Sequence, residues 1–457
     1  MGLGNAIGIG IPMVSLGLGG GEPAIDSRFI IQVKTDNPGS TNNNQFRLPW
    51  IGTYDVDWGD GNVDTAVSGT QTHTYSSAGT YDIKVTDTAG QIRFGGAGDA
   101  EKLINIKNWG AGVWTDFFIA FNGCTNMILS ATDVPDLSGA AGLFGTFANC
   151  SLFNSNINNW DVSGIANFKN LFFNCPLYNQ PLDLWDTSSA TEMRSMFDGA
   201  EAFDQNIGSF DTSGVADFRQ MFKNAFAFNN GGSTSINNWD TSSATDMYQM
   251  FVTTESFNQP IGGWDVSNVL NMEGMFNQAY VGPVTGDSLN SWDVSSVTTM
   301  RQMFLRGVGF NSINPNIESW NTVNVTNFQG FLQQSTDFNR DLSNWNISSA
   351  TTFSLFASTN NGNNVIGDIS NWNITQAPTF SNFWGGPTDI GFTTAVYDNI
   401  LVSWEAQMQT AYPGGTGAPT TTLGFVPSTY SLGSAAETAR TSLINTFGWN
   451  ILDNGGV

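Results

Sequence analysis

A tryptophan followed by a polar residue recurs about every 25 residues through the middle of the chain, and this regularity constrains the fold more than any other feature. The pairs are Trp160-Asp161, Trp185-Asp186, Trp239-Asp240, Trp264-Asp265, Trp292-Asp293, Trp320-Asn321, Trp345-Asn346 and Trp372-Asn373, with Phe210-Asp211 filling the one gap. A period between about 20 and 50 residues is typical of proteins in which small repeats stack, because one repeat cannot bury its own apolar face. The pattern therefore predicts a solenoid.

Apolar residues also recur at preferred positions of the repeat unit. Counting the tryptophan as position zero, Met or Phe occupies +8, aromatic residues occupy +12 and +18, and Ile or Leu occupies +22. The repeat that begins at Trp185 has Met193, Phe197, Phe203 and Ile207 at these positions. We expect these side chains to form the core between neighbouring repeats.

The spacing around position +8 predicts a helical turn. Met193, Met196 and Phe197 stand at i, i+3 and i+4, which places them on one face of a helix. Ser189 and Glu192 have the spacing of a capping box at the start of that helix. Each repeat is therefore predicted to contain one strand and one short helical turn.

The charge balance argues against two classes of partner. The chain has 39 acidic and 15 basic side chains, which give a formal net charge of -24. Such a charge repels nucleic-acid backbones and anionic membrane surfaces, so no nucleic-acid partner is expected. Only 12% of the residues are charged, while Asn, Ser, Thr and Gly are abundant, a composition that suits an extracellular or virion surface.

Residues 1–27 are predicted to be a glycine-rich anchor segment. The first cation is Arg28, which argues against a secretory signal peptide, and seven glycines and Pro12 among the first twenty residues argue against a membrane-spanning helix. Residues 7–11 alternate isoleucine with glycine, as an extended strand with one apolar face does. We expect this segment to add to a sheet edge or groove of another protein, with a disordered leader as the alternative.

Residues 28–90 are predicted to form a small β domain, because three stretches alternate apolar with polar residues: Phe29–Val33, Tyr54–Trp58 and Tyr81–Val85. Three motifs occur in the order Trp58-Gly59-Asp60-Gly61, His73-Thr74-Tyr75 and Gly79–Val85. Together they resemble the PKD (polycystic kidney disease) family of immunoglobulin-like β-sandwich domains. Trp58 and Tyr81 are expected in the sandwich core, and the resemblance implies that His73 supports the fold near a strand end.

Asp55, Asp57 and Asp60 are candidate Ca²⁺ ligands, because hard cations take several carboxylate oxygens. Asp55 and Asp57 would share one strand face, but the sequence offers no further ligand set. The alternative is that Asp60 bonds backbone amides of its own turn. No other cofactor is expected.

Residues 91–390 are predicted to form the solenoid. Trp264-Asp265-Val266-Ser267, Met275-Phe276 and Phe257-Asn258-Gln259 carry a resemblance to BspA-like (DUF285-type) surface proteins, and it extends over about residues 91 to 385. The resemblance implies a mixed β/α, right-handed, leucine-rich-repeat-like solenoid with a parallel sheet, and a function in adhesion or binding. Residues 391–457 are predicted to cap the stack with two amphipathic helices, Ala395–Trp404 and Ala435–Phe447.

Two polar columns should run along the solenoid. The first, a predicted structural ladder, contains Asp161, Asp186, Asp211, Asp240, Asp265, Asp293, Asn321, Asn346 and Asn373. The serine that follows two residues later favours local turns in this column, and cation binding by the stacked carboxylates is the alternative. The second column contains Asn154, Asn179, Asp204, Asn229, Asn258, Asn311 and Asn339, and it is predicted to form a ladder that satisfies backbone groups.

Inserted loops are the predicted binding residues, because a repeat protein displays its inserts on the surface. The candidates are Asn230, Gly231, Gly232 and Ser233 in one insert and Gly282, Pro283 and Thr285 in another. Three cysteines, Cys124, Cys150 and Cys175, follow a phenylalanine by three residues where later repeats have alanine, so a buried structural role is expected.

The sequence contains no catalytic constellation, since it has a single histidine and no phosphate-binding Gly-Lys-Ser/Thr run, and an enzyme is not expected. The first hypothesis is a phage head or tail appendage on the virion surface. Its N-terminal segment would bind other virion proteins, and its solenoid would bind a host-surface glycan or protein. The alternatives are an exported BspA-type adhesin on a bacterial cell surface and a structural protein that cements a capsid or tail. A homo-oligomer is expected.

Overall fold

The computed structural model describes residues 26–86, 89–279, 289–306, 317–335, 338–358, 366–384 and 391–457, and this part of the chain is a sheet-rich fold with few helices. The strands are β1 Phe29–Lys34, β2 Gln45–Leu48, β3 Thr53–Asp57, β4 Val63–Ser68, β5 Gln71–Thr74, β6 Thr80–Thr86, β7 Ala89–Gln91, β8 Leu103–Asn108, β9 Val113–Asp116, β10 Ile128–Leu129, β11 Thr422–Gly424 and β12 Asn450–Leu452. The α-helices are α1 Thr394–Ala411 and α2 Ala435–Asn445, and short 3₁₀ helices lie at Ala100–Lys102, Asn230–Gly232, Thr234–Asn238, Leu289–Ser291, Ile369–Asn371 and Pro413–Gly415.

The N-terminal region is built on a six-stranded sheet in the order β10-β8-β1-β6-β3-β4. β1 pairs antiparallel with β6 and with β8, while β2 and β5 form a separate antiparallel pair. The alternation predicted for β1, β3 and β6 is confirmed, since Ile31, Val56 and Ile83 point inward and are fully buried. β8 follows the predicted domain boundary at residue 90, so the sheet continues into the next segment of the chain.

A buried ion pair holds the loop between β1 and β2. Lys102 and Asp99 are almost completely buried and lie 3.9 Å apart. The Lys102 ammonium donates to the carbonyls of Thr41, Asn42 and Gln45, and the Asp99 carboxylate accepts from backbone amides of the same loop. Each buried charge is therefore hydrogen-bonded as well as paired, as burial requires.

From residue 142 onward, successive repeats pair through isolated parallel bridges, and we call the described part of residues 142–379 the repeat stack. The bridged residues are Gly142, Asn167, Glu192, Asp217, Asp246, Asn271, Thr299, Asn327, Thr352 and Thr379, each paired with the next. These residues stand at position +7 of their repeats, or at its equivalent for Gly142. The strand of each repeat is thus reduced to one bridging residue.

The predicted helical turn is wrong. Ser195 has a φ of 51°, in the left-handed region, and the segment forms consecutive turns instead of a helix. The amide of Met196 donates to the Met193 carbonyl, whereas the Phe197 amide donates to Met221 in the next repeat. Every second amide therefore joins two repeats, which a continuous helix would not allow.

The predicted capping box is also wrong. The Ser189 hydroxyl donates to the Ser163 carbonyl of the preceding repeat at 2.6 Å, and Glu192 accepts from the Arg194 amide at 3.0 Å. Both side chains thus serve the turns and the contacts between repeats, because no helix begins here.

Between Phe172 and Phe304 the core of the repeat stack contains a row of parallel aromatic rings. The position +12 phenylalanines Phe172, Phe197, Phe222, Phe251, Phe276 and Phe304 stack in sequence with ring centroids 5.5–5.8 Å apart. All six are fully buried. Each such pair adds about 0.5–1.5 kcal/mol beyond area burial, so the row strongly favours one register between neighbouring repeats.

The recurring tryptophan has a hydrogen-bonding role as well as a packing role. The Trp264 indole Nε1 donates to the Ile236 carbonyl of the preceding repeat at 2.9 Å. Seven further tryptophans make the same bond, six of them in repeats and one, Trp404, in the C-terminal region. Phe210 keeps the packing, stacked on Trp185, but has no N–H to donate. The indole nitrogen explains why tryptophan is the usual residue in this column.

The C-terminal region covers the last repeat. The two predicted helices are confirmed as α1 and α2, and Trp404 of α1 donates to the Ile369 carbonyl at 3.3 Å. β11 pairs parallel with β12, and the Phe380 amide donates to Thr422 of β11 at 3.0 Å. Backbone groups of the last repeat thereby find partners in the cap. Among the described helices, none is long and apolar enough to cross a membrane.

Candidate functional site

The first polar column forms a turn in each repeat. Asp161, Asp186, Asp211, Asp240, Asp265 and Asp293 each accept a hydrogen bond from the amide two residues later, at 3.0–3.1 Å. Asn321, Asn346 and Asn373 make the same contact at 3.1–3.4 Å. These Asx turns lie within one repeat, so the carboxylates do not bond across repeats as a ladder would. The Ser163 hydroxyl and amide lower the pKa of Asp161 through these hydrogen bonds.

The second polar column is a ladder between repeats, as predicted. The Asn154 side-chain oxygen accepts from the Asn179 amide at 2.9 Å, Asn179 from Asp204 at 2.9 Å, and Asp204 from Asn229 at 2.8 Å. Asn258 continues it with a 2.8 Å bond to Asn229. Because each oxygen serves the following repeat, this column supports the scaffold. Asn311 lies outside the described residues.

The three aspartates of the predicted Ca²⁺ site serve different partners. Asp55 accepts from the Ala66 amide at 2.7 Å, Asp57 from Gly59 at 3.0 Å, and Asp60 from Asn62 at 3.1 Å. Across the described part of the chain, no group of three or more His, Cys, Asp or Glu side chains is arranged to hold a metal ion. The three carboxylates act in local turns and in the pairing of β3 with β4.

His73 lies in an aromatic cluster beside Asp60. Its Nε2 lies 2.9 Å from Asp60 Oδ2, and its ring stacks on Trp58 with centroids 4.8 Å apart. Tyr75 packs edge-on against His73 and stacks on Tyr81 at 3.7 Å. The histidine thus connects the turn at Asp60 to the buried aromatic side chains.

The cysteine thiols are unsuited to chemistry. Cys150 and Cys175 are fully buried, and their thiols donate to the carbonyls of Phe121 and Phe147 at 3.0 and 2.8 Å. Burial raises the pKa of Cys175 to about 12. Since the thiolate is the reactive form, these residues have a packing role in the folded chain.

The first predicted insert is held in place by its own asparagine. Asn230 is fully buried; its side-chain oxygen accepts from the Ile207 amide at 2.9 Å, and its nitrogen donates to the Ser233 carbonyl at 2.6 Å. Gly231 and Gly232 are exposed and Ser233 is partly exposed, so most of the surface of this insert is backbone. Gly282, Pro283 and Thr285 of the second insert lie outside the described residues, as do residues 1–25 of the predicted anchor.

The structure reveals a row of side chains that the sequence reasoning missed. We call it the strand face: Phe144, Lys169, Arg194, Arg219, Tyr248, Glu273, Arg301, Gln329, Ser354 and Ser381, which stand at position +9 or its equivalent and are all partly exposed. Backbone bonds hold them in register, since Asn170 donates to the Arg194 carbonyl at 3.0 Å and Ser195 to the Arg219 carbonyl at 2.9 Å. Neighbouring members are therefore about one strand spacing apart, roughly 4.8 Å.

The residue at position +9 varies in chemical type from repeat to repeat, whereas the buried residue beside it at position +8 stays apolar. Position +8 has a fully buried methionine or phenylalanine in every repeat from Trp160 onward, and Leu143 at its equivalent, whereas position +9 is aromatic, cationic, acidic or neutral in different repeats. The fold of the repeat thus accepts different residue types at position +9. This contrast between adjacent positions is the sequence signal that could have located the face.

Some cations of the strand face form ion pairs with neighbouring acidic side chains, and others do not. Arg219 pairs with Asp217 and lies 3.7 Å from Asp246, and Arg301 pairs with Glu273 at 2.6 Å. Lys169 and Arg194 form no ion pair with any described residue. The early repeats therefore present positive charge on a protein whose overall charge is strongly negative.

A comparison with known proteins identifies one family. The family model described as Mycoplasma protein of unknown function, DUF285, matches residues 141–235, 231–281 and 281–391, which together are more than half of the chain. The chain belongs to this family. The DUF285 match confirms the BspA-like resemblance and indicates a surface-type repeat protein. Neither a curated protein nor a solved structure matches the chain.

Proposed function

We propose that this chain is a non-enzymatic adhesion protein displayed on a surface, in which the strand face binds a glycan or protein of another cell. The observation that carries the proposal is the variable strand face on a nearly invariant scaffold. Side chains released from folding constraints and held in register by the backbone provide an extended recognition surface. The DUF285 match supports the same function, since it indicates a surface-type repeat protein.

The proposal includes the architecture of the display. We infer that the repeat stack is a right-handed solenoid of the leucine-rich-repeat class, which the column of parallel bridges supports. Residues 28–90 would be a PKD-like sandwich that spaces the stack from its anchor, a role supported by the buried Trp58 and its stacked histidine. A non-enzymatic role is supported by the buried thiols and by the single histidine, which serves packing.

The displaying surface is proposed to be that of a bacterial cell, in keeping with the DUF285 match. The virion location expected from the sequence stays a prediction, as do the cementing role and the homo-oligomer. Antibody labelling of intact producing cells tests the proposed location. Detection of the chain by mass spectrometry in purified phage particles, with no label on cells, would instead favour the virion.

Adhesion itself is tested by binding of the purified, fluorescently labelled chain to target cells. The test variant replaces Lys169, Arg194, Tyr248 and Arg301 with serine, the residue found at Ser354 and Ser381 of the same column. The control variant replaces the exposed residues Asn159, Leu184 and Asn238 with serine, which already occupies their column at Ser209 and Ser291. We expect the first variant to lose binding and the second to keep it. Equal binding by both variants, or no binding by the unmodified chain, would refute the proposal.

A further inference from the structure

Arg93 and Phe118 extend the early end of the strand face into an uninterrupted row of cationic and aromatic side chains, which we call the cationic ledge: Arg93, Phe118, Phe144, Lys169 and Arg194. The Phe118 and Phe144 rings stack with centroids 4.9 Å apart. The Arg93 guanidinium lies 5.2 Å from the Phe118 ring centroid, and the Lys169 ammonium lies 5.5 Å from that of Phe144. The two cations thus enclose the stacked rings from both sides.

The geometry of the rings determines what the ledge can offer a ligand. Their faces contact each other or a cation, so a ligand on the outside meets ring edges, and Phe118 is 42% exposed. An aromatic edge has positive partial charge, the opposite of its face. Rings and cations therefore present the same sign of potential to a ligand that lies along the row.

The charges at the end of the ledge have no direct ion-pair partner among the described residues. Lys169 and Arg194 occupy adjacent repeats, and neither forms an ion pair with a described residue. Arg93 pairs with Asp116, so it contributes less. Glu192 is a nearby acid; it is half-buried, and one of its oxygens accepts from the Arg194 amide at 3.0 Å. Burial raises the pKa of Glu192 and the Lys169 charge opposes that rise, so Glu192 compensates Lys169 in part. An anion could therefore bind both cations without displacing an ion pair.

We propose that the cationic ledge binds an acidic polysaccharide, with carboxylate or sulfate groups on Lys169 and Arg194 and the sugar chain running along the repeat stack. The inference rests on the proposed adhesion function and names its ligand class. A thin extended polyanion reaches the ledge alone, whereas a bulky acidic protein would also meet the acidic remainder of this chain, with its net charge of -24. A row of charges at regular spacing matches a polymer of regularly spaced acidic sugars.

Binding of the purified full-length chain to four immobilised probes tests the proposal. The probes are a heparin oligosaccharide, oligosialic acid, neutral dextran and polyglutamate, which represent sulfated, carboxylated and neutral sugars and an acidic peptide. We expect binding to one or both acidic sugars that weakens as salt is added, because exposed charges are screened. The sulfated and carboxylated arms identify the anionic group. The proposal would be overturned if the chain bound neither acidic sugar, or if it bound dextran or polyglutamate as strongly as the acidic sugars.

Charge-reversal variants locate the site. Lys169→Glu with Arg194→Glu should weaken acidic-sugar binding at least about tenfold, the effect of losing one charge-assisted hydrogen bond. Lys34→Glu with Lys84→Glu, on β1 and β6, makes the same change in net charge away from the ledge and should change binding by less than about twofold. An equal effect of the two pairs would reject the site. If the first variant fails to fold in a thermal melt, Phe118→Ala and Lys169→Gln test the same contacts at lower risk.

Cell adhesion measured in parallel separates the two proposals. Cells that bind the chain, with no acidic-sugar binding, would reject the ledge and leave the adhesion function standing. Binding of acidic sugar without cell adhesion would reject the adhesion function and leave the sugar-binding site standing.

Discussion

Asp198 should reduce the stability of the folded chain at neutral pH, and its removal should reverse that effect. Its side chain is buried in the turn after Phe197, where one oxygen accepts from Asn224 Nδ2 at 3.1 Å. Burial raises the pKa of Asp198 from 3.8 to about 6, although the nearby Lys223 opposes the shift. Between these two values the folded state binds more protons than the unfolded state, so the free energy of unfolding falls as the pH rises through this window.

The magnitude follows from the shift. At about 1.4 kcal/mol per pKa unit, the contribution at pH 7 is a loss of at most about 3 kcal/mol. Asp198→Asn keeps an acceptor for Asn224 and removes the buried charge. The variant should therefore be more stable than the unmodified chain by about 1–3 kcal/mol at pH 7, and the difference should shrink towards zero as the pH falls to about 4.

Urea unfolding monitored by tryptophan fluorescence over pH 4–8 measures this difference. Asp186→Asn provides the control, because hydrogen bonds from Ser188 lower the pKa of that exposed carboxylate. Its contribution has the opposite sign: it is present above the unfolded pKa and is lost as the pH falls through the folded pKa, so the substitution should not stabilise the chain at pH 7. If Asp198→Asn were no more stable at pH 7 than at pH 4, relative to the unmodified chain, the argument from burial would be refuted.

Three further predictions concern the repeat stack. Trp264→Phe removes the indole bond to Ile236 and part of the buried ring, so urea unfolding should show a loss of about 2–3 kcal/mol, whereas Leu184→Ala at an exposed site should show almost none. Asn179→Ala leaves the partly buried Asp204 amide without its acceptor and should cost about 0.5–1.5 kcal/mol, while Asn179→Asp, which copies the next member of the ladder, should cost clearly less. Equal losses for the two would contradict the ladder. Iodoacetamide at pH 8 should leave Cys124, Cys150 and Cys175 unmodified in the folded chain and alkylate all three in urea, as peptide mass spectrometry would show. Labelling of the native chain would show that these thiols are accessible.

The sequence predicted those parts of the fold that depend on local periodicity or on the repeat itself. The alternation of apolar and polar residues predicted β1, β3 and β6, and amphipathic spacing predicted α1 and α2. The helical turn failed because an i, i+3, i+4 spacing also arises from consecutive turns. Ser195 adopts a positive φ without being glycine, and the Phe197 amide takes its partner from Met221, 24 residues away. No local pattern reveals such a partner.

The candidate site was harder to predict for a related reason. The sequence predicts Asn230 in a binding loop on the surface, but its side chain is buried and hydrogen-bonds the backbone of Ile207 and Ser233. The strand face was overlooked because charged and aromatic residues at one variable position resemble ordinary surface. Its significance lies in the register between repeats, which places Lys169 next to Arg194, and that register becomes visible only when the repeats are stacked.

The indole bond, the asparagine ladder and the phenylalanine row all join equivalent positions of neighbouring repeats. A duplication or deletion of one complete repeat within the part of the stack that has all three contacts would therefore restore them at the new junction. The same event would change the order of side chains along the strand face, since position +9 differs between repeats. Recombination between repeats could thus generate new binding specificities in a single genetic step without requiring a new solution to the folding problem.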